Sequence, residues 1–99
     1  MAAEPGPEFR RDLKIRNRLG LHARAAVKFV QLASHFKCDI MVLKDGAEVY
    51  GKSIMGLLTL VAAHGTDIAV VARGVDAEAA ANALAELVSQ GFGEGVEDD

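Results

Sequence analysis

A histidine and an arginine lie two residues apart in the segment Gly20-Leu21-His22-Ala23-Arg24, between a glycine-containing turn and the start of a helical pattern. This position places His22 at or beside a helix N-cap, where the positive end of the helix dipole disfavours a protonated imidazole. A neutral imidazole has a free lone pair and can act as a nucleophile. A phosphoryl group accepted there would lie among the unpaired backbone amides of Ala23 and Arg24, within reach of the Arg24 guanidinium. The residue types therefore suit transient phosphorylation of His22.

A simpler interpretation stays open at this point, in which His22 only ends a loop and Arg24 is a solvated charge. Val27 favours the chemical interpretation, because it is off the apolar stripe of the helix and one turn from Ala23 and Arg24. An exposed β-branched residue beside a cationic site indicates a docking surface, although single exposed apolar residues are common.

The elements that position this segment follow from the hydrophobic pattern. Alternation around Leu13 and Ile15 predicts a first strand. Two further strands are expected at residues 38–43 and 47–50, joined by a tight turn at Asp45-Gly46. A helix is predicted to follow His22, with an apolar stripe that comprises Ala26, Phe29, Val30, Ala33 and Phe36.

The second half of the chain repeats the alternation of helix and strand. Ser53 is the expected N-cap of a helix over residues 54–63, which Gly65 would follow in the left-handed conformation. A strand over residues 67–72 precedes a third helix, capped by Asp76 and ended by Gly91. Its predicted buried stripe is Ala80, Ala83, Leu84, Leu87 and Val88. This order predicts an α+β fold in which one antiparallel sheet of four strands is covered on one side by three helices.

Length and composition limit the classes of function. Ninety-nine residues predict one domain over residues 9–92, between flexible tails at 1–8 and 93–99, the second of them acidic. Such a domain has little room for a deep cavity, which argues against a large enzyme with its own cofactor pocket. A charge of −3 does not favour nucleic-acid binding, although Arg24, Lys28 and Lys52 are expected to form a cationic site around His22.

The single cysteine, Cys38, cannot form an internal disulfide, which favours a reducing cytoplasm. The chain has no apolar run of about 18 residues, so we expect no membrane insertion. His35 and His64 do not pair with Cys38 at a metal-ligand spacing, so neither a metal nor a cofactor is expected.

Two motifs at compatible spacing make the chain resemble a known family. The segment Gly20-Leu21-His22-Ala23-Arg24-Ala25-Ala26, together with Gly51-Lys52-Ser53-Ile54-Met55-Gly56, is similar to the HPr family of histidine-containing phosphocarriers of the bacterial phosphoenolpyruvate-dependent phosphotransferase system. The resemblance covers about residues 10–92 and implies the open-faced β-sandwich of that family, with the order βαββαβα. It also implies a cytoplasmic, monomeric and stoichiometric phosphoryl carrier rather than a turnover enzyme.

The resemblance implies a role for each matching residue. His22 would accept a phosphoryl group on Nδ1 from phosphorylated enzyme I and pass it to the A domain of a sugar permease, while Arg24 steadies the phosphate. Ser53 matches the serine that an ATP-dependent kinase phosphorylates in some bacteria. The residues that match the partner-docking patch are Val27, Ile54, Met55 and Leu58.

Two residues depart from the family pattern. Ala25 stands where the family usually has proline, which removes a rigid φ angle and restores an N–H group that can join the phosphate cradle. Leu19 replaces a small polar residue, so any hydrogen bond from that position to the site is lost.

Alternatives remain within and outside the carrier class. The segment around Ser53 favours a sugar-type carrier, whereas the ending Ser89-Gln90-Gly91-Phe92 favours a nitrogen-related regulatory carrier. A regulatory binding module that carries no phosphate is the alternative from another class. The presence of both His22 and Arg24 argues against such a module, since docking alone needs neither.

Overall fold

The structure is a computed structural model that describes residues 6–97. Its elements are β1 (Glu8–Lys14), α1 (Ala23–Ala33), β2 (Asp39–Lys44), β3 (Ala47–Tyr50), α2 (Ile54–Thr59), β4 (Asp67–Arg73) and α3 (Ala77–Ser89), followed by a C-terminal 3-10 turn (Gly91–Gly93). The four strands form one antiparallel sheet in the order β1-β4-β2-β3. The predicted α+β architecture is confirmed. No helix within residues 6–97 is long and apolar enough to cross a membrane.

The sheet is apolar on the face that carries the helices. Strand β4 lies centrally, with Ile68 opposite Leu13 of β1 and Val70 opposite Val42 of β2. The alternating residues of β2 and β4 on this face are buried: Ile40, Val42, Ile68, Val70 and Ala72. Charged residues of β1 such as Arg10 and Asp12 point to solvent on the opposite face. Burial of one face only is the physical basis of the period-two pattern in the sequence.

Helices α1 and α3 pack on the sheet through the stripes expected from their sequence, with one correction. In α1, Ala26, Phe29 and Ala33 are buried as predicted, whereas Val30 and Phe36 are half-buried. In α3, Ala80, Leu84 and Val88 are buried, but so are Ala77 and Ala81, while Ala83 and Leu87 remain half-buried. The buried stripe of α3 is therefore rotated from the predicted one towards its alanine-rich side, where small side chains allow close approach to the sheet.

Helix α2 is shorter than predicted. It ends at Thr59 rather than near residue 63, because Val61 adopts a left-handed φ of 50°. Tertiary bonds replace a further helical turn: Lys44 Nζ donates to the carbonyls of Leu60 and Val61, and Ala62 accepts from the Leu21 amide at 2.8 Å. Gly65 is left-handed, with a φ of 85°, but it belongs to the turn before β4 rather than to the end of the helix.

Asp76 is the N-cap residue of α3, but the prediction that its side chain caps the helix is wrong. Its carboxylate accepts instead from the backbone amides of Lys37 and Cys38, at 2.8 and 2.9 Å. Asp76 thereby ties the start of α3 to the beginning of β2. The turn prediction at Asp45-Gly46 is confirmed, since both residues have positive φ angles.

Two described residues of the segments predicted to be flexible tails, Glu8 and Glu97, make bonds to the rest of the fold. Residues 1–5 and 98–99 lie outside the described residues. Glu8 begins β1 and forms an ion pair with Arg73. At the other end, the Glu97 amide donates to the Arg16 carbonyl at 2.8 Å. Both described ends therefore bond to the folded domain.

Candidate functional site

His22 is the N-cap residue of α1, which confirms its predicted position. Its backbone is extended, with φ −77° and ψ 179°, and its carbonyl accepts the first helical bond from Ala26. The imidazole turns back over the helix, so that Nδ1 accepts from the Arg24 amide at 3.3 Å. Nδ1 therefore carries a lone pair that faces the first turn of α1, where unpaired amides gather.

Gly20 sets the approach of the chain to this N-cap. It has a left-handed φ of 70°, and a Cβ at this position would lie 2.6 Å from the Ala62 carbonyl oxygen. The next residue, Leu21, is buried and bonds to that same oxygen. Only glycine fits so close to the backbone that follows α2, which explains its position two residues before His22.

The second nitrogen of the imidazole faces an acidic side chain from the other end of the chain. His22 Nε2 lies 2.6 Å from Glu94 Oε2, and the two side chains are 28% and 20% exposed. Glu94 Oε1 accepts from Asn17 Nδ2 at 2.9 Å, and Asn17 Nδ2 also donates to the Gly20 carbonyl at 2.7 Å. Asn17 is fully buried. The loop before α1 and the segment after α3 are thus joined through one network.

Glu94 is ionised at neutral pH. Partial burial of its side chain raises the pKa, but the hydrogen bonds from Asn17 and His22 outweigh this effect, with a further contribution from the Lys28 charge. The net result is a pKa below the ordinary 4.5 of a glutamic acid. A carboxylate at Nε2 and an N–H donor at Nδ1 together assign the ring proton of His22 to Nε2.

Arg24 is exposed, and its guanidinium makes no hydrogen bond or ion pair within residues 6–97. The amides of Ala23 and Ala25 likewise bond to no acceptor in the described part of the chain. Ala23 and Arg24 line an open depression that also contains His22, Arg18, Leu19 and Glu94, whereas Ala25 is fully buried. The site therefore offers a nucleophilic nitrogen beside free cationic and amide donors for an anion.

The expected cationic site is smaller than predicted. Lys28 Nζ donates to the Phe92 carbonyl at 2.8 Å, which holds the C-terminal turn close to the site. The prediction that Lys52 lies near His22 is wrong, because its Nζ donates to the Phe36 carbonyl, beyond the far end of α1. The eleven residues of α1, which span about 16 Å, lie between His22 and Phe36. Arg24 and Lys28 remain.

The residues of the predicted docking patch lie on α1 and α2, two helices that contact each other. Met55 is 73% exposed and Ile54 is 38% exposed. Val27 and Leu58 are half-buried, so Val27 is less exposed than the sequence indicated. Ser53 is the N-cap of α2 as predicted, and its Oγ accepts from the Gly56 amide at 3.0 Å.

Sequence reasoning missed Asn17 and Glu94. Glu94 lies in an acidic ending of the kind that is typical of a solvated terminus, and no local pattern relates it to His22, 72 residues earlier. The signal for Asn17 was weak: it is a single asparagine among basic residues just after a strand. Its complete burial becomes evident only once the C-terminal turn covers it.

Comparison with known proteins agrees with this geometry. A sequence model of the family described as "PTS HPr component phosphorylation site" matches residues 9–90. The phosphocarrier protein HPr of Neisseria meningitidis serogroup A is 49% identical over 87 residues, covering 88% of this chain and 98% of the relative. The phosphocarrier protein NPr of Shewanella violacea is 39% identical, covering 88% of this chain and 96% of the relative.

A solved structure agrees with the fold in detail. HPr-C-His from Thermoanaerobacter tengcongensis superposes with a TM-score of 0.85 at 42% sequence identity, covering 89% of this chain and 99% of that one. Residues 9–90, which the family model matches, include both motifs and all of the sheet except Glu8. The chain therefore belongs to the HPr family of phosphocarrier proteins of the phosphotransferase system.

Proposed function

We propose that the protein carries a phosphoryl group on His22 Nδ1, accepting it from phosphorylated enzyme I and passing it to a permease A domain during sugar uptake. The observation that carries this proposal is the imidazole at the N-cap of α1, with its Nδ1 lone pair beside the Arg24 amide. Family membership supports the same role. A carrier with one exposed site needs no deep pocket, and we propose that it acts as a monomer in the cytoplasm.

The chemistry is an in-line phosphoryl transfer between two histidines. The Nδ1 lone pair attacks phosphorus as the bond from phosphorus to the donor nitrogen breaks, and the donor keeps that electron pair. The proton on Nε2 stays in place. The phosphate oxygens replace Nδ1 as acceptors for the amide of Arg24 and gain the free amide of Ala23 and the Arg24 guanidinium. The fold supplies a preset anion site, and the partner supplies alignment.

The test is phosphorylation by phosphoenolpyruvate and enzyme I, followed by mass spectrometry for an acid-labile phosphoryl group. We expect His22→Ala to abolish labelling, and His35→Ala and His64→Ala to label like the wild type. The His35 ring contacts the Gln31 carbonyl and the His64 ring contacts the Glu97 carbonyl, and neither histidine lines the depression that contains His22. Labelling of His22→Ala, or an unlabelled wild type, contradicts the proposal.

The docking patch of Val27, Ile54, Met55 and Leu58 is the proposed contact surface for enzyme I and the A domain. Met55→Glu should slow phosphorylation by enzyme I, because it places a charge in an apolar interface. It should not change phosphorylation by phosphoramidate, a small donor that needs no docking. Val75→Glu is the matched control, since Val75 is equally exposed at 75% but outside the patch. Equal rates for the two variants contradict this surface.

Ser53 is the proposed site of regulation by an ATP-dependent kinase. It precedes two exposed residues of the docking patch, and a phosphate there adds a charge of about −1.5 to −2. Ser53→Asp should slow phosphorylation by enzyme I but leave the phosphoramidate reaction intact. Loss of both reactions indicates damage to the site itself and contradicts regulation through docking.

A nitrogen-related regulatory carrier is the second candidate, because relatives named HPr and NPr both match most of the chain. Phosphorylation rates with enzyme I from the sugar branch and from the nitrogen branch distinguish the two. A regulatory module without phosphate transfer predicts equal partner binding and regulation by the wild type and His22→Ala.

A further inference from the structure

Glu94 is placed against the reacting imidazole, yet phosphoryl transfer as described above assigns it no part. It is a described residue beyond position 90, where the family match ends. Its carboxylate lies 2.6 Å from His22 Nε2, and both side chains are largely shielded from solvent. Such a contact, between segments 72 residues apart, restrains the orientation of the ring.

The tautomer of His22 decides whether the site can react. Phosphorylation at Nδ1 needs the lone pair on Nδ1 and the proton on Nε2. A carboxylate that accepts from Nε2 selects that tautomer, as the aspartate does for the histidine of a Ser-His-Asp triad. When the bond from Nδ1 to phosphorus forms, the ring becomes cationic with its proton still on Nε2. Glu94 then faces that positive charge.

Asn17 holds Glu94 in place. Its amide nitrogen donates to both the Gly20 carbonyl and Glu94 Oε1, so the side chain cannot be turned around without placing its oxygen against those two acceptors. Its own Oδ1 is buried without a hydrogen-bond partner among residues 6–97. A buried oxygen without a hydrogen-bond partner destabilises the fold. The Asn17 side chain nevertheless keeps this orientation, in which its amide nitrogen orients Glu94 towards His22.

We propose that Glu94 is a positioning residue, held by Asn17, that fixes the proton of His22 on Nε2 and thereby keeps Nδ1 free to accept a phosphoryl group. This inference rests on the proposed function of His22. It gives the segment after α3 an indirect part in the reaction, through the His22 ring.

Glu94→Gln tests the inference because it keeps the shape of the side chain and removes one acceptor. The new amide has a single oxygen for two donors, Asn17 Nδ2 and His22 Nε2. Asn17 Nδ2 cannot accept, so the oxygen stays with Asn17 and an NH2 group faces Nε2. An NH2 group facing Nε2 opposes a proton there and so works against the Arg24 amide, which still donates to Nδ1. Glu86→Gln, on the exposed side of α3, removes the same charge at a remote position and is the matched control.

The first measurement is the ¹⁵N chemical shifts of the His22 ring in the unphosphorylated protein, at a pH where the ring is neutral. The second is the rate of phosphorylation by enzyme I and by phosphoramidate. For Glu94→Gln we expect a shift from the Nε2–H towards the Nδ1–H tautomer and rates that fall about tenfold or more with both donors. Glu86→Gln should match the wild type in both measurements.

An unchanged tautomer in Glu94→Gln overturns the inference, even if the rates fall, because the effect then does not act through the ring proton. A shifted tautomer with unchanged rates overturns it as well. A wild-type protein that accepts no phosphoryl group from either donor overturns the proposed function instead, and that failure is visible before any variant is compared.

Discussion

Gly20→Ala is a severe test of how the site is built, because the structure opposes the added methyl group in two separate ways. The φ angle of 70° costs an L-residue about 1–2 kcal/mol. The new Cβ would also lie 2.6 Å from the Ala62 oxygen, whereas ordinary contact begins at 3.4 Å. The atoms nearest to the new Cβ, the Ala62 oxygen and the Ala63 Cα, both belong to the backbone. The two segments of backbone must therefore move apart, and the hydrogen bond from the Leu21 amide to the Ala62 carbonyl is lost.

The loss of that bond leaves a buried donor unpaired at a cost of about 1–3 kcal/mol. We therefore expect Gly20→Ala to lower the free energy of unfolding by about 2–5 kcal/mol. Gly46→Ala is the matched control: its φ is 83°, but no atom lies within 4 Å of the added Cβ. That variant should lose only the conformational part, about 1–2 kcal/mol.

Urea unfolding measures both variants, and an unchanged m-value shows that the transition stays comparable. Equal destabilisation by Gly20→Ala and Gly46→Ala refutes the argument that close backbone approach sets the loop before His22. Gly20→Ala should also slow phosphorylation of His22 in the fraction that stays folded, because the N-cap is two residues away. Gly46→Ala should not.

Three further predictions concern residues outside the reacting groups. Asp76→Asn should lower the free energy of unfolding at neutral pH, because the Lys37 amide holds the pKa of Asp76 below 3.8. The difference in urea midpoint between this variant and the wild type should vanish as the pH falls through that depressed pKa. Burial, together with Asp76, raises the pKa of the Cys38 thiol to about 11, so labelling by a thiol reagent at pH 8 should wait for unfolding; rapid labelling of the native protein contradicts this. Phe92→Ala should cost about 3–5 kcal/mol in a urea titration, because Phe92 is 1% exposed, and Leu19→Ala, at 63% exposed, should change stability little.

Local patterns predicted the elements and the two capped helix starts. His22 and Ser53 could be placed as N-caps because the signal lies within a few residues of each. The end of α2 could not, because it depends on a lysine in β2 and on an amide from the loop before α1. The partner of Asp76 escaped prediction for the same reason: its carboxylate reaches a segment almost forty residues earlier. Tertiary bonds override local propensity where a polar group finds a better partner.

The contact between Glu94 and His22 follows from topology rather than from sequence pattern. Lys14, at the end of β1, pairs with Asp67, at the start of β4. The loop towards His22 therefore leaves the sheet at the end where β4 begins. Helix α3 begins after the opposite end of β4 and runs back over the sheet. Its thirteen residues span about 20 Å and the seven of β4 about 23 Å, so the helix ends where that loop begins.

Burial of Phe92 and its bond from Lys28 then fix the turn that delivers residue 94 to the imidazole. The fold places the side chain of residue 94 beside His22 Nε2, and the type of that side chain determines which tautomer of the imidazole it favours. A glutamate there presents a carboxylate to Nε2, whereas an apolar residue would leave only the Arg24 amide at Nδ1 to favour one tautomer. On the proposed mechanism, the tautomer of His22 therefore depends on a residue that lies 72 positions later in the chain.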